Sequence, residues 1–130
     1  LFMDLKKFKE INDCYGHQIG DEVLGIIGSR LEKSLRASDL VARFGGDEFV
    51  IMLYDCLSED LKSFVKRIVN AVEEPIELAG RVFRVSCNIG IAQYPDDGEE
   101  IDQLVRKADV AMYQAKSKSV THIRYQDVAG

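Results

Sequence analysis

Two short apolar runs, Leu40 to Phe44 and Phe49 to Leu53, are held apart by Gly45-Gly46-Asp47-Glu48. Runs of that length around so short a polar stretch predict a β-hairpin, with the paired glycines supplying the positive φ of a tight turn. A hairpin there leaves a pair of carboxylates at its tip. The rest of the chain is read around that constraint. Leu1-Phe2-Met3 is apolar, ends in Asp4 and passes into helix-like sequence from Lys9 to Cys14. Ile19, Val23, Leu24, Ile27, Leu31 and Leu35 recur at helical spacing and predict a helix from Gln18 to about Arg36. A second long helix is expected over Leu61 to Val72, with Pro75 at its exit, and a third over Ile101 to Ala115, with Glu99, Glu100 and Asp102 about its first turn. Between them Phe83, Val85, Cys87, Ile89 and Ile91 alternate with Arg84, Ser86, Asn88 and Gly90, the period of one strand with one face in the core. Ile123 to Tyr125 is a candidate final strand. The order predicts an α+β fold, loosely an α/β sandwich: an antiparallel-rich central sheet flanked by helices, on the split βαβ or ferredoxin-like plan.

At 130 residues, with 46% hydrophobic and 30% charged side chains, the chain suits a single domain with one sizeable core. A net charge of −5 argues against a nucleic-acid surface, and no apolar stretch is long enough to insert in a membrane. Cys14, Cys56 and Cys87 are scattered, without a CxxC pair, so neither a disulfide framework nor a zinc site is indicated and the cytoplasm is the expected compartment.

The chemistry lies with two carboxylates. Pairing the first strand centrally with the hairpin would bring Asp4 beside Asp47, and adjacent carboxylates repel unless a cation joins them. Mg²⁺ (or Mn²⁺) takes oxygen ligands, is content with one or two carboxylates, and completes its octahedron with water and substrate phosphates, which points to nucleotide chemistry. Glu48 could complete such a site. Taken singly, Asp4 also fits a helix cap, and Gly45-Gly46-Asp47 a plain turn.

Gly45-Gly46-Asp47-Glu48-Phe49 resembles the signature of the GGDEF family of diguanylate cyclases. Phe2-Met3-Asp4-Leu5, Phe8-Lys9-Glu10-Ile11-Asn12-Asp13, Gly16-His17-Gln18-Ile19-Gly20-Asp21 and the block from Ala108 to Lys116 are similar to further blocks of that family, in order. The resemblance covers nearly the whole chain. It implies a nucleotidyl cyclase palm with the signature on a β-hairpin, and one GGDEF domain over residues 1–130. The segment with an LTGLxNR-like stretch that usually precedes the first strand is missing, so the domain is expected to lack its N-terminal part. Residues 75–112, with Tyr94-Pro95-Asp96-Asp97-Gly98, look similar to GGDEF domains fused to a following EAL phosphodiesterase domain, and fused sensory or EAL domains are expected. A domain elsewhere in the protein could anchor it to a membrane.

The implied reaction condenses two GTP molecules, one on each domain of a homodimer, into cyclic di-GMP and two pyrophosphates. Asp4 and Asp47 resemble the family's metal-binding acids, with the Leu5 carbonyl as a further oxygen, and Glu48 the acid required for catalysis. The backbone amides of Lys7, Phe8 and Lys9 open a helix that would cradle phosphates. Asn12 and Asp21 match guanine-reading positions, where an amide can meet O6 or N3 and a carboxylate can accept from N1 and the exocyclic amine; alone, both also fit helix caps. Lys116 resembles a phosphate-contacting lysine, and by itself a cation at a helix end. Arg36-Ala37-Ser38-Asp39, six positions ahead of Gly45, resembles the family's inhibitory product site, with Arg67 as its second arginine. His17, as a lone loop histidine, and Met112, on a core face, are given no chemical role. Two positions depart from the family pattern: Lys6 stands where many members carry a second aspartate, and Ser119-Val120-Thr121 where Gly-Arg-Asn is usual. The alternative function is a catalytically weak module that binds GTP or cyclic di-GMP and controls an attached phosphodiesterase domain.

Overall fold

A computed structural model describes residues 1–54, 56 and 58–128. Strand β1 (Phe2–Lys6) leads into helices α1 (Phe8–Tyr15) and α2 (His17–Ser34), then strands β2 (Leu40–Arg43) and β3 (Glu48–Met52). Helix α3 (Ser58–Glu73), strands β4 (Ile76–Leu78), β5 (Arg81–Phe83) and β6 (Ser86–Ile91), helix α4 (Ile101–Ser117) and strand β7 (His122–Arg124) complete the order, before a 3-10 turn at Tyr125–Asp127. The main sheet runs β2-β3-β1-β6-β7, and β4 and β5 form a sheet of their own. The main sheet is mixed: β1 pairs antiparallel with β3, Asp4 opposite Glu48, while β6 pairs parallel with β7. The α+β expectation holds. No helix among the described residues is long and apolar enough to cross a membrane.

The chain falls into two compact units, one of Leu1–Asp4, Ala42–Ile51 and Asn88–Gly130, the other of Leu5–Val41 and Met52–Cys87. In the first, Phe2, Ala108 and Met112 form a core lined by Val50, Ala92 and Val105. Helix α4 lies so close to β6 that a Cβ on Gly90 would strike the Ala108 carbonyl and the Met112 backbone. In the second unit, α2 buries Val23, Leu24, Ile27 and Leu31, the stripe read from its spacing, and α3 buries Leu61, Phe64, Val65, Ile68 and Val72. Arg30 reaches from α2 to the end of α3, where its Nη1 donates to the carbonyls of Ala71 (3.3 Å) and Glu74 (2.6 Å) and its Nη2 to that of Pro75 (2.9 Å). Ala71 lies in the last turn of α3, where carbonyls are left without a helical partner, and Glu74 and Pro75 follow the helix end.

Three local expectations are corrected. Phe83 to Ile91 is two strands, β5 and β6, interrupted at Arg84 and Val85. Their alternation is continuous only because Val85 is buried in the break. β6 is covered on both faces, with Asn88 wholly buried and Gly90 under α4, so its polar and small positions face protein instead of solvent. The glycines of the acidic hairpin do not supply positive φ; that is found at Ala79 (51°) and Gly80 (72°), the two-residue turn joining β4 to β5.

Candidate active site

The first unit gathers four of the expected residues. Asp4 sits on β1 opposite Glu48 on β3, and Asp47 is the neighbour of Glu48 at the hairpin tip. The tip is tied down locally. The Phe44 and Gly45 N–H groups donate to the Glu48 carbonyl at 2.8 and 3.4 Å, and Arg43 Nε donates to the Gly45 and Gly46 carbonyls, both at 3.2 Å. Gly45 gives room to the catalytic candidate: a Cβ there would stand 2.5 Å from Glu48 Oε1.

Lys116, in the last turn of α4, places Nζ 3.2 Å from Asp4 Oδ2. Asp4 therefore engages a cation, and no side chain caps the start of α1 at Lys7. Burial pushes the Asp47 carboxyl above its ordinary value, the Asp4 charge and a hydrogen bond with Asp4 push it further, and Lys116 pulls it back. Glu48 is likewise raised, first by burial and then by Asp4, Asp109 and Asp47, against Lys116. Burial and like charge thus raise the Asp47 and Glu48 carboxyls together. Asp109 is the residue that sequence reasoning passed over. Its position seven before Lys116 puts both on one face of α4, a signal the sequence carried.

The donor set suits a hard divalent cation: it is all oxygen, and its mutual repulsion falls when a positive charge arrives. Among the described residues, no three His, Cys, Asp or Glu side chains form a ready cage. A cation here would rest on two carboxylates and draw further ligands from backbone, water and phosphate.

The other candidates belong to the second unit. Leu5 is buried on β1 directly after Asp4. Lys7 has φ 67° and starts α1 with Phe8 buried and Lys9 exposed. Asn12 lies within α1 and Asp21 within α2, whose N-cap is Gly16, so neither caps a helix. Asn12 Oδ1 is buried without a hydrogen-bond partner.

Arg36 and Asp39 join as their spacing suggested. Arg36 Nε lies 3.2 Å from Asp39 Oδ2, the Arg36 and Tyr54 N–H groups also donate to this carboxylate, and Arg36 Nη2 donates to the Tyr54 carbonyl at 2.6 Å. Burial pushes Asp39 up, but the hydrogen bonds from Arg36 and Tyr54 outweigh it and hold the carboxyl below its ordinary value. The Asp39 side chain has no exposure while that of Arg36 is 52% exposed, so Asp39 braces and Arg36 is the group a ligand would meet. Arg67 is exposed on α3, its guanidinium 5.1 Å from the Phe64 ring centroid.

The departure at Val120 has a structural frame. Helix α4 ends with Ser119 at φ 56°, its N–H donating to the Lys116 carbonyl (3.3 Å) and the Val120 N–H to that of Ala115 (3.0 Å), a Schellman termination. The helix does not continue to Val120, whose carbonyl accepts from Asn88 Nδ2 at 2.8 Å.

Comparison with known proteins identifies relatives of the chain as a whole. MucR of Pseudomonas aeruginosa, a bifunctional diguanylate cyclase/cyclic di-GMP phosphodiesterase, is 41% identical over 118 residues, 91% of this chain and 17% of that protein. NbdA of the same organism, a cyclic di-GMP phosphodiesterase, is 38% identical over 117 residues, 90% of this chain and 15% of that protein. The chain therefore spans about a sixth of the length of these curated relatives. The crystal structure of the GGDEF domain of TpbB, also called YfiN, from P. aeruginosa matches with a TM-score of 0.85 at 42% identity, covering 95% of this chain and 77% of that one. Residues 1–121 match the family described as "Diguanylate cyclase, GGDEF domain", and the chain belongs to that family.

Proposed function

We propose that this domain condenses two GTP molecules into cyclic di-GMP and two pyrophosphates, as half of a homodimer. Each 3′-hydroxyl attacks the α-phosphate of the GTP on the facing domain, and pyrophosphate leaves. One observation carries the reading: Asp47 and Glu48, both raised by burial and by neighbouring carboxylates, lie at the hairpin tip beside Asp4 on the paired strand β1, and Lys116 meets Asp4 at 3.2 Å. Crowded acids beside a cation are what a phosphoryl-transfer site needs.

Asp4, Asp47 and the Leu5 carbonyl would hold Mg²⁺ or Mn²⁺, which when bound neutralises charge building on the phosphates. Lys116 offers its ammonium to phosphate oxygens, and the amides of Lys7, Phe8 and Lys9 receive phosphate at the start of α1. Asn12 and Asp21 read the guanine. Glu48, its carboxyl raised, is poised to hold a proton closer to neutrality than an ordinary glutamate. Arg36, braced by Asp39, and Arg67 form the site where cyclic di-GMP lowers activity. The domain works in the cytoplasm, attached to sensory or EAL domains.

A second reading, a regulatory module that binds GTP or cyclic di-GMP without turnover, draws on NbdA, a relative named for phosphodiesterase activity alone. Incubation of the protein with GTP and Mg²⁺, followed by nucleotide analysis, separates the two. Cyclic di-GMP with two equivalents of pyrophosphate supports the cyclase; bound but unreacted GTP supports the module; absence of GTP binding contradicts the cyclase, and absence of binding to added cyclic di-GMP as well contradicts both.

A further inference from the structure

Asn12 and Gly20 meet inside the second unit, where α1 packs on α2. The Asn12 side chain is half-buried with its Oδ1 sealed in and unpartnered, and its amide nitrogen lies on the open side. Gly20 is what admits that oxygen. A Cβ at Gly20 would overlap Asn12 Oδ1, and would stand 2.9 Å from Asn12 Cγ and 3.3 Å from Phe8 Cζ. The oxygen thus takes the place of the missing methyl, facing the Gly20 Cα–H, a contact in which it can act as a weak acceptor. The opposite flip would turn the two amide N–H donors onto carbon and leave them unpaired. Gly20 is buried in the body of α2 and is not at positive φ. Helix propensity favours alanine over glycine there, so the admitted side chain is what accounts for the residue.

We infer that Gly20 is a positioning residue that locks the Asn12 amide with its NH₂ outward. The site then presents donors, which meet the 6-oxo group of a 6-oxopurine and oppose the amino group of a 6-aminopurine. The inference rests on the proposed GTP reaction and adds to it the device that sets which way Asn12 faces, and so which purine is accepted.

The test is calorimetry of Mg²⁺-GTP and Mg²⁺-ATP binding to the parent chain, Gly20→Ala, Asn12→Ala and the double variant. Gly20→Ala should weaken GTP binding by about tenfold, the scale of one lost hydrogen bond, and weaken ATP less, so that the preference for GTP narrows. The double variant should bind GTP no more weakly than Asn12→Ala alone, because one interaction can be lost only once. Parental affinity in Gly20→Ala, or losses that add in the double variant, would overturn the inference and leave the proposed function standing. A parent that binds neither nucleotide would overturn both. Asn12→Asp covers the case in which Gly20→Ala fails to fold: it keeps the shape and the glycine but puts an acceptor outward, so GTP preference should vanish. Retained preference would overturn the inference.

Discussion

Asp39 shows how one carboxylate can be read two ways. Its RxxD spacing with Arg36 was legible in the sequence, whereas its task was not, because the Tyr54 N–H that completes its shell lies fifteen positions away. Its folded pKa is below the ordinary 3.8, so its contribution to stability is present above that value and is lost as pH falls through the folded pKa. Asp39→Asn should therefore cost about 1.5–3 kcal/mol at pH 7, the range for a hydrogen bond to a charged group, with the gap closing in acid. Denaturant titrations at pH 7 and below pH 4 check this, and an equal deficit at both would contradict it. Ser119 carries the opposite lesson. It occupies the left-handed position of a helix termination that glycine fills without strain, so Ser119→Gly should stabilise the domain by roughly 0.5–1 kcal/mol, read as a higher Tm. Beside it, Val120 is 42% exposed and held through its backbone, which leaves the side chain open to change. Val120→Arg should tighten GTP binding by roughly tenfold if an arginine there reaches phosphate. Equal affinities would show that Lys116 or the metal already suffices.

At the scale of elements, the long helices were legible because their apolar stripes repeat at helical spacing, as in Ile19, Val23, Ile27 and Leu31 or Leu61, Val65, Ile68 and Val72. The small sheet of β4 and β5 was not, since three-residue strands give no period to read. β6 was misread for a different reason. Alternation reports one buried face, and nothing local says that α4 will lie on the other, where Gly90 meets it. Gly90→Ala tests that packing. With backbone atoms of Ala108 and Met112 in the way, the methyl must push α4 off the strand, at about 1–3 kcal/mol, the usual range for overpacking. Chemical denaturation of the variant measures it, and parental stability would mean that the helix stands further away. As Lys116 is carried by the same helix, the substitution should also weaken GTP binding.

Across the whole chain, the site half that was most legible is the acidic one, since Asp4 and the hairpin acids needed only a strand pairing to meet, and β1 does pair with β3. What the sequence could not show is how far burial and mutual repulsion shift them, because that depends on Asp109 and Lys116 arriving from α4. The sign of the consequence is definite. Acids whose folded pKa is raised favour the fold when protonated and penalise it once ionised, so with no metal bound they lower stability as pH climbs through the raised values. Glu48→Gln should then melt higher than the parent at pH 7, and the difference should shrink toward pH 4, a comparison that thermal melts without Mg²⁺ decide. The same variant carries the decisive measurement: the initial rate of cyclic di-GMP formation from GTP and Mg²⁺ by parent and Glu48→Gln across a range of protein concentrations. The parent's rate should rise faster than linearly until the dimer saturates, and the folded Glu48→Gln protein should give no product; turnover by Glu48→Gln within a factor of two of the parent would contradict the account.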